Sequence, residues 1–217
     1  MNETLLIVER PVEGVVQLTL NRPDSKNALS KALRTALVTQ LTTLAEDDAV
    51  ETVILTGAGE VFCAGFDLKE LSQGDSKAIF ADAANYHRVV HRFPKPLIAA
   101  VNGPAVAGGM DLALMCDIRM GTAKGSFGQP QVRFGIPAAY DLIASVCDEA
   151  TARYLCLTGN LIDSDAALAR SILSECFSDR TQMLKEVLNC AATIAKSKIG
   201  KSSKAGFLAR QPRLFES

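Results

Sequence analysis

Two short apolar segments, Val53-Ile54-Leu55-Thr56 and Pro96-Leu97-Ile98-Ala99-Ala100-Val101, each run directly into a glycine-rich stretch. This pairing restricts the fold more than any other feature of the chain. A strand that is apolar at every position has no side suited to water. It must be buried on both faces, as in a parallel sheet covered by helices. A third segment of this kind, Cys116 to Gly121, follows the second glycine-rich stretch. Helix-permissive sequence lies between the strands. Ser30 is a good N-cap for a helix to about Asp47, with Leu33, Ala36, Leu37, Leu41 and Leu44 as its buried stripe. A polar stretch from about Ser76 to Arg92 predicts another helix, and a third begins at Gly108-Gly109. The strand–strand–helix rhythm implies an α/β core.

Residues 4–9 and 14–20 read as two strands, with Pro11 and Gly14 suited to a hairpin turn between them. Asn21-Arg22-Pro23-Asp24 stops the second strand. From about Asp141 onward the chain reads as mostly helical, with helices over 141–157, 163–170, 180–199 and near 201–210. The change of rhythm near residue 158 is the one candidate boundary. It divides an α/β core, 1–157, from a C-terminal helical region, 158–217.

Composition excludes several classes. The 217 residues carry 23 Lys and Arg against 24 Asp and Glu, a net charge of −1. That balance argues against a nucleic-acid binder or a polybasic membrane-surface protein. A chain of this size buries about 70% of its surface on folding, so it needs neither disulfides nor a structural metal. The six cysteines show no CxxC spacing and sit in apolar stretches, the pattern of buried free thiols in a reducing compartment. Two histidines make a zinc site a poor reading. Met1-Asn2-Glu3 lacks a basic n-region, and no run approaches the ~18 apolar residues of a membrane span. The expectation is a soluble cytoplasmic protein.

The glycine-rich loops are where chemistry is expected. They are Gly57-Ala58-Gly59-Glu60-Val61-Phe62-Cys63-Ala64-Gly65-Phe66-Asp67-Leu68 and Asn102-Gly103-Pro104-Ala105-Val106-Ala107-Gly108-Gly109-Met110-Asp111-Leu112. Glycine lets a ligand approach the backbone, and a helix start offers unpaired N–H groups. Two loops aiming N–H groups at one carbonyl oxygen would form an oxyanion hole. The alternative is a pair of ordinary βα turns with glycines for packing. Neither loop is a Walker motif or GxGxxG.

These blocks resemble the enoyl-CoA hydratase/isomerase (crotonase) superfamily, from about Leu5 to about Lys201. The resemblance also draws on Asn21-Arg22-Pro23 with Asn27-Ala28-Leu29, Cys116-Asp117-Ile118, Phe127-Gly128-Gln129-Pro130 and Leu157-Thr158-Gly159. It implies a crotonase-like ββα superhelix with a shortened C-terminal helical region that helps form trimers or dimers of trimers. Part of the lid over the site would be missing or supplied by a neighbouring subunit. It implies an acyl-CoA thioester as substrate, coenzyme A being part of that substrate, with no separate cofactor and no metal. The backbone N–H groups of Phe66 and Gly108 match the family's oxyanion hole. Arg22, Ala28, Ala64, Asp67 and Leu68 fall where the family binds CoA, with Gly109 and Gln131 beside the substrate.

The chain departs from the family at both catalytic glutamates. Asp111 stands at the first position and Gln131 at the second. Aspartate reaches about 1.5 Å less than glutamate, and glutamine cannot take a proton. An ordinary two-carboxylate hydratase is therefore not the expectation. The family's isomerases usually keep the second glutamate, the one lost here. Tyr140 and Asp141 follow Gly135-Ile136-Pro137, a region where several members place a specialised residue and the decarboxylases a tyrosine. They join Asp111 as catalytic candidates; otherwise Asp141 caps a helix and Tyr140 packs at its start. His87 and His91, spaced i, i+4, read as surface or hinge residues near the acyl pocket. Met110 and Met115 read as packing residues, Met110 also as a neighbour of the acyl chain. Lys69-Glu70 reads as a solvated helix face within reach of CoA phosphates. Three functions stay open: a crotonase-type lyase or isomerase working through a stabilised enolate, a malonyl-type decarboxylase, and an inactive acyl-CoA-binding homologue.

Overall fold

The computed structural model describes residues 4–73, 76–211 and 214–215. A six-stranded sheet runs through the molecule in the order β1 (Leu6–Val12), β2 (Val15–Leu20), β3 (Thr52–Gly57), β4 (Leu97–Val101), β6 (Ile118–Thr122), β9 (Glu175–Phe177). The first pair is antiparallel and every later pair is parallel. A smaller sheet joins β5 (Ala105–Val106), β7 (Ser126–Gly128) and β8 (Leu161–Asp163).

The uninterrupted apolar strands are buried on both sides. Leu97, Ala99 and Val101 enter one core and Ile98 and Ala100 the other; Val53 and Leu55 lie opposite Ile54 in the same way. The first core is closed by α1 (Lys31–Glu46), α3 (Ser76–His91) and α4 (Gly108–Leu114), through residues such as Leu37, Tyr86 and Leu112. The second is closed by α8 (Arg180–Ser197), whose Met183, Val187, Ala191 and Ala195 recur at the spacing of one helix face. Ser30 caps α1 as expected, its hydroxyl accepting from Leu33 N at 3.3 Å.

Several elements differ from the sequence reading. Pro11 lies within β1, where the register shifts between Glu9 and Val12; the turn itself uses Gly14 at φ +75°. A short helix, α2 (Leu68–Gln73), precedes α3. The helix expected over 141–157 is two, α5 (Tyr140–Ala144) and α6 (Glu149–Thr158), because Asp148 takes an extended conformation and caps α6. Residues 158–217 hold two strands as well as α7 (Ser164–Ala169), α8 and α9 (Gly200–Leu208). β8 pairs with β7 and β9 with β6, so this region is woven into both sheets. No helix among the described residues is long and apolar enough to cross a membrane.

Candidate active site

The smaller sheet brings the two halves of the site together. β5 and β7 are parallel, in the register Ala105↔Phe127 and Val106↔Gly128. The residues that follow them, Ala107–Asp111 and Gln129–Gln131, therefore emerge at the same end. An isolated bridge, Cys63↔Ala105, lays the first glycine-rich loop beside the second. Contact there is too close for side chains. A Cβ on Gly109 would lie 2.0 Å from Cys63 O, and one on Gly65, at φ +90°, would lie 3.0 Å from Gly108 N. Two asparagines fix the loops from behind. Asn27 Nδ2 donates to Ala58 O and Val61 O, and Asn102 bonds Gly57 N and Gly59 O.

Between the loops lies a cavity of about 510 Å³, with Ala64, Phe66, His87, Gly108, Asp111 and Gln131 in its wall. Pro130, Phe134 and Ile136 extend its apolar lining. The neighbouring backbone pairs elsewhere: Leu29 N donates to Gly65 O, Ala107 N to Gly128 O, and Met110 N and Asp111 N to Ala107 O. The N–H groups of Phe66 and Gly108 stay outside the backbone pairing of the described residues. Ala107, which turns the chain into α4, sits at φ +51° and ψ −131°. A non-glycine residue there stores on the order of 1–3 kcal/mol of strain, a device found mostly at functional sites.

Asp111 lies one helical turn beyond Gly108 and is 6% exposed. Burial pushes its carboxyl up to about 7, against the opposing effect of Gln129, whose Nε2 donates to Asp111 Oδ1 at 2.8 Å. Gln131 Nε2 in turn donates to Gln129 Oε1 at 2.5 Å, and Gln131 Oε1 is buried without a partner. A carboxyl poised near neutrality can both take and give a proton.

Other sequence candidates are spread from the cavity outward. Arg22 is not a free cation: its guanidinium bonds Ala28 O at 2.6 Å and Asp67 Oδ2 at 3.0 Å. Burial works to raise the Asp67 carboxyl, but Arg22 and nearby N–H groups outweigh it and hold it below its ordinary value. Leu68 is 76% exposed at the start of α2 yet reaches the cavity rim. Tyr140 and Asp141 are not among the residues lining the cavity. The chain enters α5 at that point, Tyr140 Oη donates to Glu149 Oε1 at 3.1 Å, and Asp141 is exposed without capping the helix. Glu70 is no solvated bystander: its carboxylate accepts from Lys31 N at the start of α1 and sits 3.6 Å from Arg34. Nor is His87 a surface residue; it lines the cavity, and burial, with the charge of Arg34, pushes its imidazole down to about 4. His91, Met110 and Met115 are buried in the core.

Two residues the sequence reading passed over matter here. Gln129 is fully buried against Asp111. Arg34, 1% exposed, bonds Leu29 O and Asp82 and lies 5.1 Å from the Phe66 ring centroid. The signal for Arg34 was its spacing: it stands three and seven residues before Leu37 and Leu41, on the apolar stripe of α1. A second cavity of about 720 Å³ lies near Leu114, Asp117 and Lys204, away from both glycine-rich loops.

The profile of the enoyl-CoA hydratase/isomerase family matches residues 10–205. The chain is 38% identical over 197 residues to 2,3-dehydroadipyl-CoA hydratase of Escherichia coli K12, covering 88% of this chain and 76% of that protein. It is 34% identical over 179 residues to 4-chlorobenzoyl coenzyme A dehalogenase-2 of an Arthrobacter species, covering 77% and 64%. Its structure superposes on the crystal structure of an enoyl-CoA hydratase from Bacillus anthracis with a TM-score of 0.88 at 27% identity, covering 96% of this chain and 85% of that one. With the crotonase fold and this match over most of its length, the chain belongs to the enoyl-CoA hydratase/isomerase family.

Proposed function

We propose that the protein binds an acyl-CoA thioester with its carbonyl oxygen between the N–H groups of Phe66 and Gly108, and that Asp111 is the group that moves the proton. One observation carries this reading: a single apolar cavity holds two backbone donors outside the backbone pairing and a buried carboxyl poised near pH 7. The donors would stabilise negative charge as it develops on the thioester oxygen, worth about 2.7–4 kcal/mol of barrier per donor in other enzymes. Ala64, Leu68 and the paired Arg22 and Asp67 mark the path of the CoA portion away from the cavity.

Hydration of a 2-enoyl thioester is the reaction we favour, because relatives such as the Escherichia coli protein carry that activity in their names. One carboxylate suffices for the balance. Water's oxygen bonds to the β-carbon while one of its protons passes to Asp111. The electrons of the double bond move onto the thioester oxygen, and Asp111 returns the proton to the α-carbon. Gln131 takes no proton and serves as a hydrogen-bonding group only. Tyr140 and Asp141 have no part in this step.

The test is turnover of a panel of crotonyl-, 3-hexenoyl- and malonyl-type CoA thioesters. The expected result is hydration of a 2-enoyl substrate, with Asp111→Asn lowering kcat/KM at least ~10²-fold. Binding without turnover would leave a carrier of acyl-CoA. Turnover unchanged in Asp111→Asn would remove Asp111 from the chemistry.

A further inference from the structure

Three side chains stand in a row, Asp111 and Gln131 lining the cavity and Gln129 fully buried between them. Gln131 donates to Gln129 at 2.5 Å, Gln129 donates to Asp111 at 2.8 Å, and the other end of the Gln131 amide, Oε1, is buried and unpaired. Every donor in the row points toward Asp111. That polarity suits an ionised carboxylate, which only accepts. A protonated carboxyl carries a donor of its own, and with that proton on Oδ1, the oxygen that faces Gln129, it would meet the Gln129 NH₂ group donor to donor. Oxygen and nitrogen exchange places in an amide with almost no change of shape. Turning both glutamines reverses the row: Asp111 O–H donates to Gln129 Oε1, and Gln129 Nε2 donates to Gln131 Oε1. No other heavy atom has to move.

We infer that Gln129 is a positioning residue that carries the protonation state of Asp111 to Gln131, so that Gln131 offers an acceptor while Asp111 is ionised and a donor once Asp111 holds a proton. This rests on the reading of Asp111 as the acid–base group of the site. It deepens that reading by assigning Gln131 a polarity that changes within the reaction. When Asp111 must take a proton, Gln131 accepts from a hydroxyl or water; after the transfer it donates. Ligands whose acyl group carries a hydroxyl near Gln131 are favoured with Asp111 ionised, and ligands with an acceptor there with Asp111 protonated.

The surrounding titratable groups leave Asp111 as the one that changes near neutral pH. Cys63 in the first loop, Tyr86 on α3 and Cys156 on α6 all feel the Asp111 charge, and His87 of α3 lines the same cavity. Burial pushes the Cys63 thiol up to about 12 and raises Tyr86 and Cys156, so these stay neutral. His87, pushed down to about 4 by burial and by Arg34, is neutral as well.

The experiment follows side-chain amide resonances of the glutamine-labelled full chain between pH 5 and 9, without any thioester, alongside the Asp111 carboxyl carbon. Gln129 and Gln131 should titrate with the midpoint of Asp111, and neither should titrate in Asp111→Asn. In Gln129→Met the Asp111 midpoint should rise by up to about one unit, because the hydrogen bond lost to the charged form is worth more than the one lost to the protonated form, while Gln131 no longer responds. A Gln131 amide that ignores the Asp111 titration in the wild-type protein overturns the inference, as does one that still follows it in Gln129→Met. The wild-type titration decides the matter even where the Gln129 variant does not fold. Because no substrate is present, this result stands apart from the turnover panel: the row can respond in a protein that hydrates nothing, and an active hydratase can lack the response.

Discussion

A buried carboxyl bonded to a glutamine amide, its charge felt by Cys63 and Tyr86, has exchanged water for one good hydrogen bond, and its protonation becomes a term in folding. Asp111 ordinarily titrates at 3.8 and in the folded chain at about 7. Between these values the unfolded chain has released the proton that the folded chain still holds. Its favourable contribution is therefore complete below about pH 4 and is lost as pH rises through about 7. Three units correspond to about 4 kcal/mol. Asp111→Asn keeps the shape and an acceptor for Gln129 but removes the titration. Chemical unfolding of both proteins from pH 4 to 8 should show the wild type losing several kcal/mol relative to the variant across that window. His87 pulls the opposite way, its lowered value costing stability as pH falls from 6.5 to about 4, but it is common to both proteins and cancels. A flat difference would mean that Asp111 is hydrated in solution.

The elements that carry the site meet through glycine, and here the tolerance for change is smallest. In Gly109→Ala the new methyl would start 2.0 Å from Cys63 O, a backbone atom that already accepts from Val106 N at 3.1 Å. α4 or the first loop must shift, at a cost of about 1–3 kcal/mol for overpacking of this kind. Thermal unfolding should record the loss, and turnover should fall by more than stability does, since the displaced loop ends at Phe66. Equal turnover would show that loop spacing does not set the site's geometry. These close approaches were legible in sequence, because an apolar strand followed by glycines announces both a buried strand and a tight turn. The polar partners were not. Gln129 meets Asp111 only because β5 and β7 lie side by side, and Arg34, placed on the buried stripe of α1 by its spacing, finds its partner Asp82 only on α3. Both depend on pairings between distant segments, which no local pattern reports. The same holds for Tyr140: its neighbour Ala139 reaches the cavity, but the turn into α5 sends the hydroxyl toward Glu149.

At the scale of the whole molecule, the cavity depends on a helix that does not touch it. α8 covers the opposite face of the main sheet, yet its first residue reaches over the sheet end: Arg180 donates to Gly59 O at 2.6 Å and to Gly57 O at 3.0 Å. These carbonyls open the loop whose other end is Phe66. Asn102 holds the same stretch from within the core, and Ala58 N is tied to Leu20 O at 2.8 Å. A hydrogen bond from a charged group contributes about 1.5–3 kcal/mol when buried, but these two lie at the partly exposed end of the sheet and are small beside the burial of Met183, Val187, Ala191 and Ala195 that keeps α8 in place. Arg180→Ala should thus leave global unfolding nearly intact while loosening one loop. Amide exchange at Ala58 should quicken, kcat should fall several-fold, and exchange in the centre of α8 should stay as slow as in the wild type. Arg180→Lys, with a point charge in place of the fork, should restore one bond and part of the protection. If exchange at Ala58 is unchanged in Arg180→Ala, Asn102 and the β2 contact hold the loop unaided, and the far helix contributes to the fold alone.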